Sequence, residues 1–156
     1  MTTKKMAIIA SKGTLDMAYP PFILASTAAA MGYEVQVYFT FYGLLLLRKD
    51  LSNMKISPLG NPAMPMPIPM PVMMQMLPGM ESMATMMVKN KFKQKGVASL
   101  EELRDLCLEA DVKFIACQMT LDLFEFDKSD FIDAVEFGGA ATFIGFAGDS
   151  DICLYV

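Results

Sequence analysis

Three cysteines, Cys107, Cys117 and Cys153, are the side chains best suited to covalent chemistry in this sequence. A cysteine acts as a nucleophile when it is a thiolate, so its reactivity depends on what surrounds the sulfur. No two of the three form a CxxC pair, and their number is odd. The apolar run at residues 6–10 is too short for the core of a signal peptide. These features predict free thiols in a reducing compartment, and we expect a cytoplasmic protein.

The composition excludes several other kinds of site. The chain has no histidine, which rules out Ser-His and Cys-His dyads and histidine-ligated zinc or haem. A net charge of −4 and a pI near 4.8 argue against a nucleic-acid partner, because such proteins present a clustered basic face. An activated nucleophile must therefore rely on a thiolate, a lysine, a carboxylate or backbone dipoles.

Cys117 has the most suggestive position of the three. It follows the apolar run at residues 112–116, which reads as a buried strand, and polar Gln118 and Thr120 come directly after it. Ligands and chemistry in open α/β sheets lie just beyond the carboxyl ends of the strands. We expect a thiol that is exposed enough to react, on a backbone held by the sheet. A buried strand-end cysteine without a chemical role fits the residues equally well.

The other two cysteines fall inside predicted elements. Cys107 lies on the apolar stripe of a helix that opens with a capping box, Ser99 to Glu102, and a small buried core residue is the favoured interpretation. Cys153 lies within the last predicted strand, residues 151–156. It is either a resolving or second reactive thiol, or a core residue, and its strand position favours the core.

Strand and helix patterns alternate along the chain. This alternation predicts an α/β protein with a mainly parallel sheet of about five strands, in a three-layer, flavodoxin-like arrangement. Helices are expected at residues 15–31, where Pro20 and Pro21 should interrupt the helix, at 43–49 and at 140–147. Strands are expected at residues 5–10, 34–40, 112–116, 132–137 and 151–156. In the second strand Val35, Val37 and Phe39 share one face, and Tyr38 lies on the other.

An insert at residues 58–95 has a different composition. Its first thirty residues hold seven of the nine prolines and ten of the sixteen methionines. The Met-Pro repeat at 62–71 favours an extended, polyproline-like path, and residues 72–87 could form a helix broken at Pro78-Gly79. The lysines from 89 to 95 read as a solvated tail.

Three interpretations of the insert remain open. Methionine fills irregular gaps, which favours apolar packing over the sheet or against another copy of the chain. A membrane-surface or membrane-inserted segment is the second, although its prolines, Gln75 and Glu81 make a spanning helix poor. The third is a Cu(I) site built from thioethers, with no cysteine or histidine nearby to anchor the metal.

Four segments carry a resemblance to a known family. They are YFTFYGL at residues 38–44, Asn61-Pro62 with the following Met-Pro run and Pro78-Gly-Met80, KFIACQM at 113–119, and EFGGAA at 136–141. With these segments the chain resembles the DsrE-like family of small sulfurtransferases, in particular a longer subgroup with a Pro/Met-rich insert. The resemblance spans nearly the whole chain and implies one DsrE-like domain, residues 1–156.

The resemblance also implies a function. Family members are homo-oligomers that carry sulfane sulfur as a cysteine persulfide, and Cys117 matches the sulfur-binding cysteine. Cys153 matches a second cysteine near the C-terminus. The implied partners are TusA-like sulfur carriers or rhodanese-like proteins, and the exchange requires no metal or organic cofactor. The alternatives are a non-catalytic oligomeric or membrane-surface protein that binds partners through the insert, and a Met-rich Cu(I)-binding protein.

Overall fold

A parallel β-sheet forms the centre of the molecule. The computed structural model describes residues 3–57, 73 and 76–156. The strands are β1 (Lys5–Ala10), β2 (Glu34–Phe39), β3 (Lys113–Cys117), β4 (Val135–Gly138) and β5 (Ile152–Tyr155). Their order is β4-β3-β2-β1-β5, and all four pairings are parallel. The predicted α/β class, with about five strands, is confirmed.

In the part of the chain that the structure describes, five α-helices and two 3₁₀ helices accompany the strands. The α-helices are α1 (Leu15–Ala30), α2 (Met80–Gln94), α3 (Leu100–Glu109), α4 (Gln118–Leu123) and α5 (Ala140–Ala147), and the 3₁₀ helices span Phe41–Leu47 and Lys128–Asp130. The predicted capping box begins α3. Ser99 Oγ accepts the Glu102 N–H at 3.2 Å, and Glu102 Oε2 accepts the Ser99 N–H at 2.7 Å.

The predicted interruption of the first helix is wrong. Helix α1 runs continuously from Leu15–Ala30 with Pro20 and Pro21 inside it. Each proline removes one backbone N–H from the helix. Pro21 is fully buried beside Phe22, which packs on Phe39 of the sheet with 5.9 Å between the ring centroids. Packing of this buried face therefore outweighs the missing hydrogen bonds.

The two faces of the sheet are covered differently. Helices α1 and α3 pack together over the face that carries Phe39, and α5 lies against β1, β2 and β4. Tyr38 points to the opposite side from Phe39 and stacks on Phe143 of α5, with 5.1 Å between ring centroids. Because side chains alternate along a strand and Phe39 pairs with Ala116, the next residue, Cys117, belongs to the α5 face.

Other predicted boundaries need correction. The short helix expected at 43–49 is a 3₁₀ helix over Phe41–Leu47, and the strand expected at 132–137 is Val135–Gly138. The lysines at 89–95 do not form a tail, because α2 extends to Gln94. The polyproline-like path predicted for 62–71 lies outside the described residues. Among the residues that are described, no helix is both long enough and apolar enough to cross a bilayer.

Candidate functional site

Cys117 ends β3 and caps the start of α4. Its predicted place at the carboxyl edge of the sheet is confirmed. The expected exposure is wrong, since only 4% of the residue is accessible. Strand β3 lies inside the sheet between β2 and β4, and α4 begins directly after the thiol. Cys117 is therefore flanked by a strand on each side and followed at once by a helix. This surrounding structure explains why a residue predicted to be exposed is buried.

Three hydroxyl side chains surround the sulfur of Cys117, and we refer to them as the hydroxyl cluster: Tyr38, Thr40 and Thr120. Tyr38 lies on β2, Thr40 follows the end of that strand, and Thr120 lies in the first turn of α4. Thr120 is completely buried, and its Oγ1 is 3.4 Å from Thr40 Oγ1. Two chain segments eighty residues apart thus meet at the thiol.

The hydroxyl cluster changes the acidity of Cys117. Burial alone would raise the pKa of the thiol, but hydrogen bonds from Thr120, Tyr38 and Thr40 to the sulfur lower it. The effect of the hydrogen bonds is larger than that of burial, so the pKa of Cys117 lies below its ordinary value. Because hydrogen bonds to the charged form favour ionisation, the cluster enriches the thiolate at neutral pH. The site has the electronic character that nucleophilic sulfur chemistry requires.

Tyr38 is held as a neutral donor. Burial raises the pKa of its phenol, and the hydrogen bond and charge of Cys117 raise it further. The ring is fixed by stacking on Phe143, so the hydroxyl has a defined position. Because its pKa is raised, Tyr38 therefore still carries its proton at the pH where Cys117 ionises.

The loop after β2 is strained beside the site. Phe41 has a φ of 48°, in the left-handed region that is unfavourable for a bulky residue. Its N–H donates to Thr120 Oγ1 at 3.1 Å, which ties the loop to the hydroxyl cluster. Gly43 follows, and a Cβ there would collide with the carbonyl group of Ala10. The close approach of this loop to β1 requires glycine.

An apolar rim adjoins the site. We use this term for four exposed side chains: Phe41, Tyr42, Met119 and Leu123. The Phe124 ring supports the first two, stacking on Tyr42 at 5.8 Å and meeting Phe41 edge-on at 6.3 Å. An incoming molecule would therefore meet a largely apolar surface beside the thiol.

Cys107 is a core residue, as predicted. It is fully buried, and its thiol donates to the Phe22 carbonyl oxygen at 3.4 Å. Burial raises the pKa of Cys107 to about 12, so it stays protonated.

Cys153 does not lie in the core, and that expectation is wrong. It is exposed on β5, a strand at the edge of the sheet. Cys153 pairs with Ala7 of β1, so Cys153 itself lies about four residues below the level of Cys117 and three strands away from it. Strand geometry then separates the two thiols by roughly 20 Å. Since a disulfide needs Cα atoms within about 7 Å, Cys153 cannot resolve Cys117 in the same chain.

The sequence indicated parts of the hydroxyl cluster without joining them. The alternation in β2 predicts Tyr38 on the face opposite Phe39, and Thr120 is a polar residue just beyond the next predicted strand. Adjacent parallel strands end at the same edge of the sheet, so residues after β2 and after β3 meet only if these strands are neighbours. The sequence pattern alone does not give the order of the strands. No group of three or more acidic, cysteine or histidine residues suited to a metal occurs in the described ranges. Four of the ten methionines in the predicted thioether copper site of the insert lie outside these ranges: Met64, Met66, Met70 and Met74.

Comparison with known proteins finds a matching family and two similar proteins. A family model described as the DsrE/DsrF/DrsH-like family matches residues 2–155. The "Sulfur carrier protein DsrE2" of Allochromatium vinosum is 66% identical over 160 residues, covering 100% of both chains. The uncharacterised YrkE protein of Bacillus subtilis is 29% identical over 158 residues, covering 99% of this chain and 98% of that one.

A solved structure supports the fold. The YchN protein of E. coli superposes with a TM-score of 0.57 at 10% identity, covering 99% of this chain and 100% of the other.

Proposed function

Because the chain belongs to the DsrE/DsrF/DrsH-like family, we propose that it traffics sulfur, and that Cys117 carries sulfane sulfur as a persulfide for transfer to a partner thiol. The observation that carries this proposal is a buried thiol whose pKa is lowered by three hydroxyl side chains. The name of the Allochromatium relative, a sulfur carrier, supports the same role.

The proposed exchange has two steps. The Cys117 thiolate attacks the outer sulfur of a donor persulfide, the donor S–S bond breaks, and the donor leaves as a thiolate with the bonding electron pair. The product is Cys117–S–SH. A partner thiolate then attacks the outer sulfur of this persulfide, and the Cys117 thiolate leaves and returns to its hydrogen bonds. Neither step needs a further redox partner.

The proposed donor and acceptor are proteins. A TusA-like sulfur carrier or a rhodanese-like protein presents sulfur on a cysteine, which suits direct thiol exchange. The apolar rim beside Cys117 offers a surface for such a protein to contact. We propose a homo-oligomer that acts as a sulfurtransferase with these partners.

Cys153 is proposed as a second sulfur-accepting thiol that acts independently of Cys117. Its exposure lets donors reach it, but no hydroxyl cluster accompanies it on the edge strand. We expect it to load more slowly than Cys117, and its persulfide to be lost readily to added thiols.

Intact-mass spectrometry after incubation with a polysulfide tests the proposal. Cys117→Ser should abolish rapid loading, whereas Cys153→Ser should retain it. Circular dichroism of each variant checks that the fold is preserved. Equal loading of Cys117→Ser and the unmodified protein would refute the role of Cys117.

A second candidate role is attachment to a membrane surface through α2. This helix exposes Met83, Met86 and Met87, and it ends in a run of lysines without an intervening acid. Apolar side chains flanked by lysines suit an interface with anionic lipid headgroups. Co-sedimentation with anionic vesicles, reversed by salt and by Met86→Asp, would favour this role, and absence of binding at low salt would dismiss it.

A further inference from the structure

Arg104 is a buried cation in the middle of α3. Only 5% of the residue is exposed, and burial lowers the pKa of its guanidinium. None of the ion pairs among the described residues includes it, and its Nε has no hydrogen-bond partner there. A buried charge without an acidic partner is costly, and an apolar side chain of similar volume often serves a core as well. The presence of Arg104 therefore needs an explanation beyond packing.

The partners of Arg104 are backbone carbonyl groups at the end of the 3₁₀ helix Phe41–Leu47. Its Nη1 donates to the Leu46 carbonyl oxygen at 3.1 Å and to the Arg48 carbonyl oxygen at 2.7 Å. The last carbonyl groups of a helix lack donors within the helix, and they form the negative end of its dipole. The guanidinium therefore anchors this end of the 3₁₀ helix to α3.

The other end of the 3₁₀ helix reaches the thiol site. The Phe41 N–H donates to Thr120 Oγ1 at 3.1 Å. At a rise of about 2 Å per residue, Phe41 lies roughly 10 Å from Leu46 along the helix. Leu44, Leu46 and Leu47 are fully buried, so the helix is closely packed between its two ends. A displacement at the anchored end is therefore passed on to Phe41.

The Phe41 N–H determines how the Thr120 hydroxyl is used. A hydroxyl group has one proton and two lone pairs. Because Oγ1 accepts the Phe41 N–H, the proton of Thr120 remains available to donate to the Cys117 sulfur. Thr120 is one of three hydroxyls that bond this sulfur, and Tyr38 is the titratable member of the three.

We propose that Arg104 is a positioning residue for Cys117: by holding the end of the 3₁₀ helix, it keeps the Phe41 N–H on Thr120 and so directs the Thr120 hydroxyl to the sulfur. This inference rests on the proposed role of Cys117 as the sulfur-carrying thiol. Helix α3 packs with α1 on one side of the sheet, whereas Cys117 belongs to the α5 face. Arg104 therefore acts through the 3₁₀ helix and not by contact with the thiol.

The pH dependence of iodoacetamide alkylation of Cys117 tests this role in the full chain carrying Cys153→Ser. Arg104→Met removes the donors and keeps most of the side-chain length. The Thr120 proton should then reach the sulfur only part of the time. We expect the pKa of Cys117 to rise by about half a unit, which lowers the thiolate fraction about threefold at pH values below it. Thr120→Val removes the hydroxyl altogether and should raise the pKa further, by about one unit.

Three further variants separate positioning from other effects. In the Thr120→Val background Arg104→Met should cause no additional shift, whereas a long-range effect of the lost charge would persist there. Arg104→Lys should restore at least half of the shift, because both carbonyl groups accept from one nitrogen, which an ammonium group can replace. Ser99→Ala removes the cap of α3, so it is the matched control for lost stability and should leave the pKa of Cys117 unchanged.

The outcomes separate this inference from the proposed function. An unchanged pKa in folded Arg104→Met, persistence of the shift in the Thr120→Val background, or an equal shift in Arg104→Lys or Ser99→Ala would each overturn the positioning role. If Arg104→Met does not fold, Arg104→Gln takes its place under the same criteria, since its amide can donate to one carbonyl group. Failure of a polysulfide to load Cys117 in the unmodified protein would overturn the persulfide role, and the alkylation profiles would still decide the role of Arg104.

Discussion

Replacing Tyr38 by phenylalanine removes one hydrogen bond from the Cys117 thiolate and little else. The ring can keep its stacking on Phe143, because only the hydroxyl is lost. The phenol contributes directly to the lowered pKa of Cys117. We therefore expect Tyr38→Phe to raise the pKa of Cys117 and to move the pH profile of its reactivity upward.

The expected size follows from the energy of the lost bond. A hydrogen bond to a charged group contributes about 1.5–3 kcal/mol, and one pKa unit corresponds to about 1.4 kcal/mol. We take the lower end, about one unit. At pH values below both pKa values the thiolate fraction then falls about tenfold. The more basic thiolate is about threefold more nucleophilic, so the net rate falls about threefold. Above both pKa values the variant should react about threefold faster, and the two pH profiles should cross.

The measurement is the rate of iodoacetamide alkylation between pH 5 and 10. Cys153→Ser should be the background for every variant, because Cys153 is exposed. Cys107 does not interfere, since it is buried and its pKa is raised to about 12. Tyr19→Phe is the matched control: its hydroxyl donates to the Ala98 carbonyl oxygen at 3.2 Å, away from the site.

Two results would refute this reasoning. A profile unchanged by Tyr38→Phe would mean that the phenol does not stabilise the thiolate. An equal shift in Tyr19→Phe would mean that general destabilisation, rather than the lost hydrogen bond, moves the pKa.

Two further predictions concern the fold that positions the site. Gly43→Ala should lower the free energy of unfolding by about 2–3 kcal/mol in urea titrations, because its Cβ would collide with the Ala10 carbonyl. Gly139→Ala meets open space and should change it little, and equal losses would contradict the collision. Ser99→Ala removes the cap of α3 and should cost about 1 kcal/mol, or about 2–4 °C in Tm by calorimetry. Ser82→Ala, at an exposed serine inside α2, should not reproduce that loss.

The sequence was informative wherever local pattern determines structure. Alternation in β2 correctly placed Val35, Val37 and Phe39 on one face and Tyr38 on the other. The sequence-based prediction failed at Pro20 and Pro21. It considered only the hydrogen bonds that the prolines remove from the helix, and not the packing of the buried helix face.

The site was predicted only in part, for a similar reason. The position of Cys117 at a strand end follows from residues 112–116 and the polar residues after them. Its burial and its hydroxyl neighbours depend on β2 lying beside β3, which local pattern does not specify. Thr40 and Thr120 could be paired only after the strand order was known.

The pKa of Cys117 is lowered only in the folded chain, because only folding brings residues 38–40 next to residues 117–120. Before folding, Cys117 is an ordinary cysteine with an ordinary pKa, much like the other two. At pH values between its folded and unfolded pKa values, folding therefore releases a proton from this thiol. The resulting stabilisation is complete above the unfolded pKa and disappears as the pH falls through the folded one. A partly synthesised chain that lacks β3 and α4 has no such nucleophile, so completion of the sheet also activates the thiol.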